Sequence, residues 1–167
     1  HPMGEGVDPN PRIVSERLVD PDALVMGKTA ENLHDRYPTI TKERVDAYAV
    51  RSQQKTAAAY DAGRIQPDLV PVATRSAEDG WGLAVSDEPM RPGTTLESLA
   101  TLKTPFRAHG KVTAGNAAGI NDGATAALLA DEETARELGL PVKMRLVSYS
   151  FVGVEPEVMG AGPIPAT

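Results

Sequence analysis

Cysteine is absent from all 167 residues of this sequence. Its absence excludes a disulfide scaffold, a thiolate metal site and a cysteine nucleophile within these residues, and it favours the cytoplasm. Positive charge is scarce as well, since the formal net charge is −6 and the pI is about 5.1. General nucleic-acid binders are basic, so we expect no nucleic-acid partner. No apolar run approaches the roughly 18 residues of a membrane-spanning helix, and we expect no membrane span.

What is present is enough apolar sequence for a folded core. Hydrophobic residues make up 41% of the chain, which disfavours disorder, and the length suits one ordinary domain. The sequence begins at His1 without an initiator methionine and ends at Thr167 in a stretch rich in glycine and proline. We therefore expect an internal piece of a longer protein. The 15 glycines and 14 prolines predict a loop-rich chain of the α/β class.

Capping residues and hydrophobic periodicity predict four helices. The clearest runs from the N-cap Thr41 to Gly63, with a narrow packing face of small side chains. The others cover 27–37 with Thr29 as cap, 94–102 with Thr94 or Thr95 as cap, and 132–138 between Asp131 and Gly139. The residues predicted for the packing face are Val45, Ala49, Ser52, Thr56 and Ala59.

β-branched and apolar runs predict strands, and clusters of glycine and proline predict loops. A turn is predicted at Gly80–Gly82, and loops at 1–22 and 155–167. Periodicity alone does not decide between a strand and a buried helix for 124–130. The predicted strands are 68–74, 83–86, 110–115 and 142–154.

The stretch "TAGNAAGINDGATAALL" (113–129) combines small apolar residues with polar side chains and glycines. Its glycines permit another chain or a ligand to approach closely. Asn121 and Asp122 precede Gly123, and this pattern predicts a turn whose side chains bond a neighbouring strand. A purely structural turn is the simpler interpretation.

Few side chains in the sequence indicate chemistry. The three histidines have no metal-binding spacing; His34 is expected in solvent and His109 in a turn. Arg91 lies on a proline-rich loop, where a guanidinium suits a phosphate or nucleotide ligand, although an exposed loop charge is the alternative. The residues alone indicate an α/β piece that faces a small molecule, without visible catalytic groups.

Three stretches in the same order resemble the thiolase family. They are "VMGKTAENL" (25–33), "RPGTTLESLATLKTPFRAHGKVTAGNAAGINDGA" (91–124) and "VGVEPEVMGAGPIPAT" (152–167). The resemblance covers nearly all of 20–167 and implies a thiolase-like fold, in which 124–130 is a buried strand. It implies a CoA-covering loop domain at 1–109. The last strand and helix of the N-terminal thiolase half would be 110–139, and 140–167 would begin the C-terminal half. The layered α-β-α core would be incomplete in this chain.

The resemblance also implies an acyltransferase. Thiolases cleave or form 3-oxoacyl-CoA by ping-pong transfer through a cysteine thioester. Their nucleophilic cysteine, its activating histidine, the second cysteine and the oxyanion-hole asparagine lie in segments that this sequence does not contain. CoA and acyl-CoA would be substrates, with no permanently bound cofactor and no metal, and the full-length parent would be a homo-oligomer, dimer or tetramer. A non-catalytic acyl-CoA-binding module and an interaction or scaffold fragment are the alternatives.

Matching the family's binding positions assigns two sets of residues. Met26 falls near the acyl and pantetheine end, Arg91 falls at the adenine-nucleotide end, and the other matched positions line the pantetheine path. Ala118 stands where many members have a serine that bonds pantetheine, so that hydrogen bond is not expected here. The matched pantetheine positions are Ser98, Phe106, Ala114, Ala118 and Ile120, and the structural residues are Asn116, Asn121, Asp122 and Gly123.

Overall fold

Short helices separated by long loops make up most of the chain. The computed structural model describes residues 10–18, 20, 25–76 and 80–167. The helices are α1 (Pro11–Ser15), α2 (Met26–Arg36), α3 (Lys42–Asp61), α4 (Leu96–Ala100), α5 (Glu132–Glu137) and α6 (Pro163–Ala166), with 3₁₀ segments at Gln66–Asp68 and Pro156–Ala161. The strands are β1 (Val72–Ser76) and β2 (Gly80–Ala84).

Helix α3 is confirmed, with the ends that its capping residues predict. The Thr41 hydroxyl accepts a hydrogen bond from the Arg44 backbone N–H at 3.3 Å, and Gly63 adopts a φ of +67° just beyond the last turn. The predicted packing face is only partly correct, because Ser52 is exposed and the buried residue of α3 is Asp46. This helix therefore packs through a carboxylate as well as through small side chains.

Helix α2 begins one residue before its predicted start, and its predicted cap is wrong. Val25 occupies the N-cap position without a side-chain cap, whereas Thr29 lies inside the helix and its hydroxyl donates to the Met26 carbonyl at 2.8 Å. The Asn32 amide donates to the Glu157 carbonyl at 3.0 Å, and Leu33 lies against Gly160. Helix α2 is thereby docked on the 3₁₀ segment near the end of the chain.

Two of the predicted strands form an antiparallel hairpin. Val72 pairs with Ala84 and Ser76 pairs with Gly80. The first strand begins later than predicted because Gln66–Asp68 is a 3₁₀ turn, and Gly80 and Gly82 lie within β2 rather than in the predicted turn. The residues that join the two strands, 77–79, lie outside the described residues.

Three other predicted strands, 110–115, 124–130 and 142–154, do not form in the described chain. A strand exists only with a hydrogen-bonded partner, and no backbone hydrogen bond of the described residues pairs these segments. The last two are instead unpaired and exposed, with Leu129 87% and Phe151 90% accessible. Loop predictions also fail locally, because α1 lies within 1–22 and short helical segments cover most of 156–166.

The buried centre of the described chain is unusually polar. Leu99 and Val112 are buried there, but so are Glu31, Asp46 and Thr113. None of the buried side-chain nitrogen or oxygen atoms in the described residues lacks a hydrogen-bond partner. Hydrogen bonds that satisfy buried carboxylates therefore hold α2, α3 and residues 110–116 together.

Candidate functional site

Helix α3 holds the loop that carries Arg91. The Arg91 backbone N–H donates to Oε1 of Gln53 at 2.7 Å, and the Tyr60 hydroxyl donates to Oδ2 of Asp87 at 2.7 Å. Nη1 of Arg91 donates to two carbonyls of its own loop, those of Glu88 at 2.5 Å and Met90 at 3.0 Å. Arg91 is exposed. These hydrogen bonds fix its backbone and one side of its guanidinium on the loop, while the side chain remains accessible from solvent. That arrangement suits a planar cation that meets an anionic or aromatic ligand group.

Ser98 has a structural role in the capping box of α4. The Thr95 hydroxyl accepts from the Ser98 backbone N–H at 3.2 Å, and the Ser98 hydroxyl accepts from the Thr95 backbone N–H at 3.1 Å. The same helix turns Leu99 inward, where Leu99 and Leu102 lie against Gly115. The capping box and this contact set α4 beside the segment that contains Ala114.

A second close contact joins Phe106 to α2. A Cβ atom on Gly27 would overlap the ring of Phe106, so the ring lies directly on the backbone of the first helical turn. Met26, the neighbour of Gly27, is exposed, and so is Phe106. Two residues predicted for the acyl-CoA path are therefore brought to the same end of α2.

The remaining predicted residues are not gathered into a pocket. Ala114 and Ala118 are exposed, and Ile120 is 79% accessible in a segment without regular secondary structure. Two surface grooves, of about 400 and 490 Å³, lie along α3 and beside the C-terminal end of α2, and none of the seven predicted binding residues lines either one. In this chain the predicted binding residues lie on an open surface.

The predicted turn at Asn121–Gly123 is wrong. Residues 121–123 form neither a turn nor a regular element and are exposed, and nothing would contact a Cβ atom on Gly123. The expected neighbouring strand is missing from the described chain, so these polar side chains have nothing to bond. Asn116 instead links this segment to a neighbouring element. Its Nδ2 donates to Oδ1 of Asp46 in α3 at 2.9 Å, and its Oδ1 accepts from the Thr113 backbone N–H at 2.8 Å.

Sequence reasoning missed the buried carboxylates. Glu31 is 1% accessible, and its side chain accepts backbone N–H donors from Lys111 and Val112. The available signal was helical spacing, because Gly27, Glu31 and His34 recur at i, i+4 and i+7 on one face of α2. His34 was expected in solvent but is buried, with Nδ1 3.1 Å from the Ile40 carbonyl oxygen.

The carboxyl groups with shifted pKa values in the described chain all lie at helix N-termini. The backbone N–H of Thr134 and then its hydroxyl lower the pKa of Asp131 at the start of α5. Glu43 and Glu97 have lowered pKa values because each accepts hydrogen bonds in the first turn of its helix. Among the described residues, no three acidic or histidine side chains form a group able to hold a metal ion.

Comparison with known proteins identifies the family. The family model described as "Thiolase, N-terminal domain" matches residues 13–133. This chain belongs to the thiolase family. The prediction from the ordered motifs is thereby confirmed.

Individual thiolases match across most of this chain. It is 47% identical over 142 residues to the acetyl-CoA acetyltransferase of Allochromatium vinosum, covering 85% of this chain and 36% of that protein. It is 44% identical over 163 residues to the human peroxisomal 3-ketoacyl-CoA thiolase, covering 92% of this chain and 38% of that protein. The crystal structure of the Bacillus anthracis acetyl-CoA acetyltransferase superposes with a TM-score of 0.78 and 40% identity, covering 99% of this chain and 42% of that one.

The chain spans roughly two fifths of the length of these thiolases. The structural similarity confirms the thiolase-like fold class, of which this chain holds a part. The division at 109 and 139 into three thiolase regions stays a prediction. No helix in the described part of the chain has both the length and the apolar character needed to cross a membrane.

Proposed function

We propose that this chain supplies the CoA-binding part of an acetyl-CoA C-acyltransferase. The complete enzyme would interconvert an acyl-CoA plus acetyl-CoA with free CoA plus a 3-oxoacyl-CoA, a reaction of fatty-acid and lipid metabolism. The acyl group would be carried on a cysteine thioester. Because this chain has no cysteine, it would contribute binding and not the nucleophile, and alone it would be inactive. CoA thioesters would be substrates, with no permanently bound cofactor.

The main support is the structural similarity to the Bacillus anthracis acetyl-CoA acetyltransferase, which extends over 99% of this chain. The contacts of the described residues agree with a long, thin ligand. Arg91 is anchored at one place on the surface by α3, α4 lies beside residues 114–115, and Phe106 sits at the start of α2. A path of this kind, apolar and with one cation at an end, would suit pantetheine joined to a nucleotide.

We assign the residues to positions along CoA, from its nucleotide end to its acyl end. Arg91 would meet the adenine-nucleotide end, and Met26 would lie near the acyl end. Ser98, Phe106 and the small residues Ala114 and Ala118 would border pantetheine, together with Ile120. The parent would be a homo-oligomer in the cytoplasm, although a relative named as peroxisomal is also 44% identical to this chain.

The proposal is tested in a chimera. Residues 20–167 replace the matching part of the Bacillus anthracis enzyme, and loss of a 3-oxoacyl-CoA is followed on addition of CoA. Thiolysis at a rate within about tenfold of the parent enzyme supports the proposal. A chimera that has the parent's oligomeric state and melting temperature but cleaves no thioester contradicts it.

One substitution in the same chimera tests whether Arg91 contacts the nucleotide end of CoA. Arg91→Ala is expected to raise the KM for CoA by about tenfold with kcat nearly unchanged, because it removes binding shared by ground state and transition state. Arg64→Ala, at another exposed arginine, is the matched control and should change neither constant. Equal effects of the two substitutions would remove the assigned role of Arg91.

A further inference from the structure

The carboxylate of Glu31 is a buried anion bound by main-chain amides. The Lys111 N–H donates to Oε1 at 2.9 Å and Oε2 at 3.0 Å, and the Val112 N–H donates to Oε1 at 2.8 Å. The ammonium group of Lys111 does not pair with it and instead donates to the Ile40 carbonyl at 3.0 Å. A carboxylate with so little exposure is tolerable only when such donors replace its water. These bonds fix the path of the backbone at 111–112.

Gly110 leaves the space that this carboxylate needs. A Cβ atom at Gly110 would lie 2.9 Å from Cδ of Glu31 and would overlap Oε1. Its φ is not in the left-handed range, which in this stretch is taken by His109 with a φ of +56°. The reason for glycine at 110 is therefore the approach of Glu31 rather than backbone strain.

A second buried carboxylate extends the same arrangement to the following turn. Asp46 is 4% accessible; its Oδ2 accepts from the Lys42 ammonium at 2.5 Å and its Oδ1 accepts from the Asn116 amide at 2.9 Å. The Asn116 amide also donates to the Lys111 carbonyl at 2.8 Å. Residues 111–116 are thus held by one carboxylate from α2 and one from α3.

We infer that Glu31 is a positioning residue for acyl-CoA binding, acting through the backbone of residues 110–116. Its three hydrogen bonds tie the start of this segment to α2, the helix whose first turn contains Met26 and lies against the ring of Phe106. The end of the segment contains Ala114 and Gly115, and Leu99 of α4 packs against Gly115. Glu31 therefore fixes the distance between two parts of the predicted ligand path without touching the ligand. The identity of the ligand in this inference rests on the proposed function, whereas the hydrogen bonds of Glu31 are independent of it.

Hydrogen exchange of the 167-residue chain tests the geometry. In Glu31→Gln, the amides of Lys111 and Val112 are expected to exchange about tenfold faster, since an amide side chain replaces a charged acceptor. Gly110→Ala should have the same effect, because it displaces the carboxylate and leaves Glu31 intact. The amides of α3 report whether either variant remains folded, and protection of α3 should persist.

Matched controls make the same chemical changes elsewhere. Glu137→Gln lies on the exposed face of α5, and Gly82→Ala lies in β2 with nothing within 4 Å of the added Cβ atom. Neither should change exchange at 111–112. Unchanged exchange in both Glu31→Gln and Gly110→Ala would overturn the inference.

The functional consequence is measured in the active chimera. Both variants are expected to raise the KM for CoA by about tenfold while kcat stays within about twofold, whereas a merely structural loss would lower the amount of active enzyme and hence apparent kcat. Faster exchange with an unchanged KM would overturn the positioning role. A chimera that keeps the parent's oligomeric state and melting temperature but is inactive would overturn the proposed function, and exchange at Lys111 and Val112 would still decide the geometry.

Discussion

The ring of Phe106 lies on the bare backbone of Gly27, at a distance that leaves no room for a Cβ atom. This relationship joins the first turn of α2 to a loop 79 residues further along the chain. It is an apolar contact between two parts of the described chain that are distant in sequence. It also places Phe106 beside Met26 at one end of the proposed ligand path.

Gly27→Ala is expected to destabilise the chain by about 1–3 kcal/mol, the usual cost of forcing extra volume into a close contact. Urea unfolding measures the change. Combining it with Phe106→Ala should recover most of the loss, because the obstructing ring is removed. Additive effects of the two substitutions would show that the ring does not occupy this position.

Ser98 is expected to act in the α4 cap whether or not it meets a ligand. Thr95→Ala and Ser98→Ala should each lower the free energy of unfolding by about 1 kcal/mol, because each breaks the capping box. In the chimera, Ser98→Ala should raise the KM for CoA more than Thr95→Ala does. Identical KM values for the two variants would restrict Ser98 to the cap.

The Lys42–Asp46 pair should respond unequally to loss of either partner. Lys42→Met leaves the Asp46 carboxylate buried with only Asn116 to bond, and is expected to cost about 3 kcal/mol. Asp46→Asn keeps a polar group in the site and leaves Lys42 bonded to the Leu99 carbonyl, and should cost about 2 kcal/mol. Denaturant unfolding of both variants gives the order. The reverse order would contradict the burial assigned to Asp46.

Acid should weaken α5 through Asp131. Its pKa lies below the ordinary value of 3.8 because the Thr134 backbone N–H and hydroxyl stabilise the carboxylate. The carboxylate's contribution is complete above pH 3.8 and is lost as the pH falls through the lower, folded-state pKa. Carboxyl carbon chemical shifts followed by NMR should give an Asp131 midpoint under 3.8. Asp131→Asn should remove the pH dependence of the chemical shifts of the α5 amides. An Asp131 midpoint at or above 3.8 would show that the Thr134 hydrogen bonds do not lower its pKa.

Helix ends could be predicted from the sequence where the signal is local. Thr41, Thr95 and Asp131 cap the helices that follow them, and Gly63 and Gly139 end helices with positive φ values of 67° and 62°. Each of these features depends on residues within one turn. Thr29 failed as a cap because the helix already begins at Met26.

Strands and buried charges could not be predicted in the same way, because their partners are distant in sequence. The apolar runs at 124–130 and 142–154 have strand composition, yet a strand needs a neighbour, and none pairs with them in the described chain. Glu31 looks like a solvent-facing helical residue until amides 80 positions away are placed against it. The residues matched to the ligand path came from family motifs, since small exposed residues such as Ala114 and Ala118 carry no chemical signal of their own.

CoA titrated by calorimetry into the chimera and into the 167-residue chain tests the central claim most directly. We propose that this chain carries the CoA-contacting part of a thiolase, with its binding residues on an open surface until the rest of the fold covers them. We therefore expect the chimera to bind CoA, Arg91→Ala to weaken that binding by about tenfold, and the chain alone to bind far more weakly. Equal affinity of the chain alone and the chimera, or a chimera that binds no CoA, would contradict it.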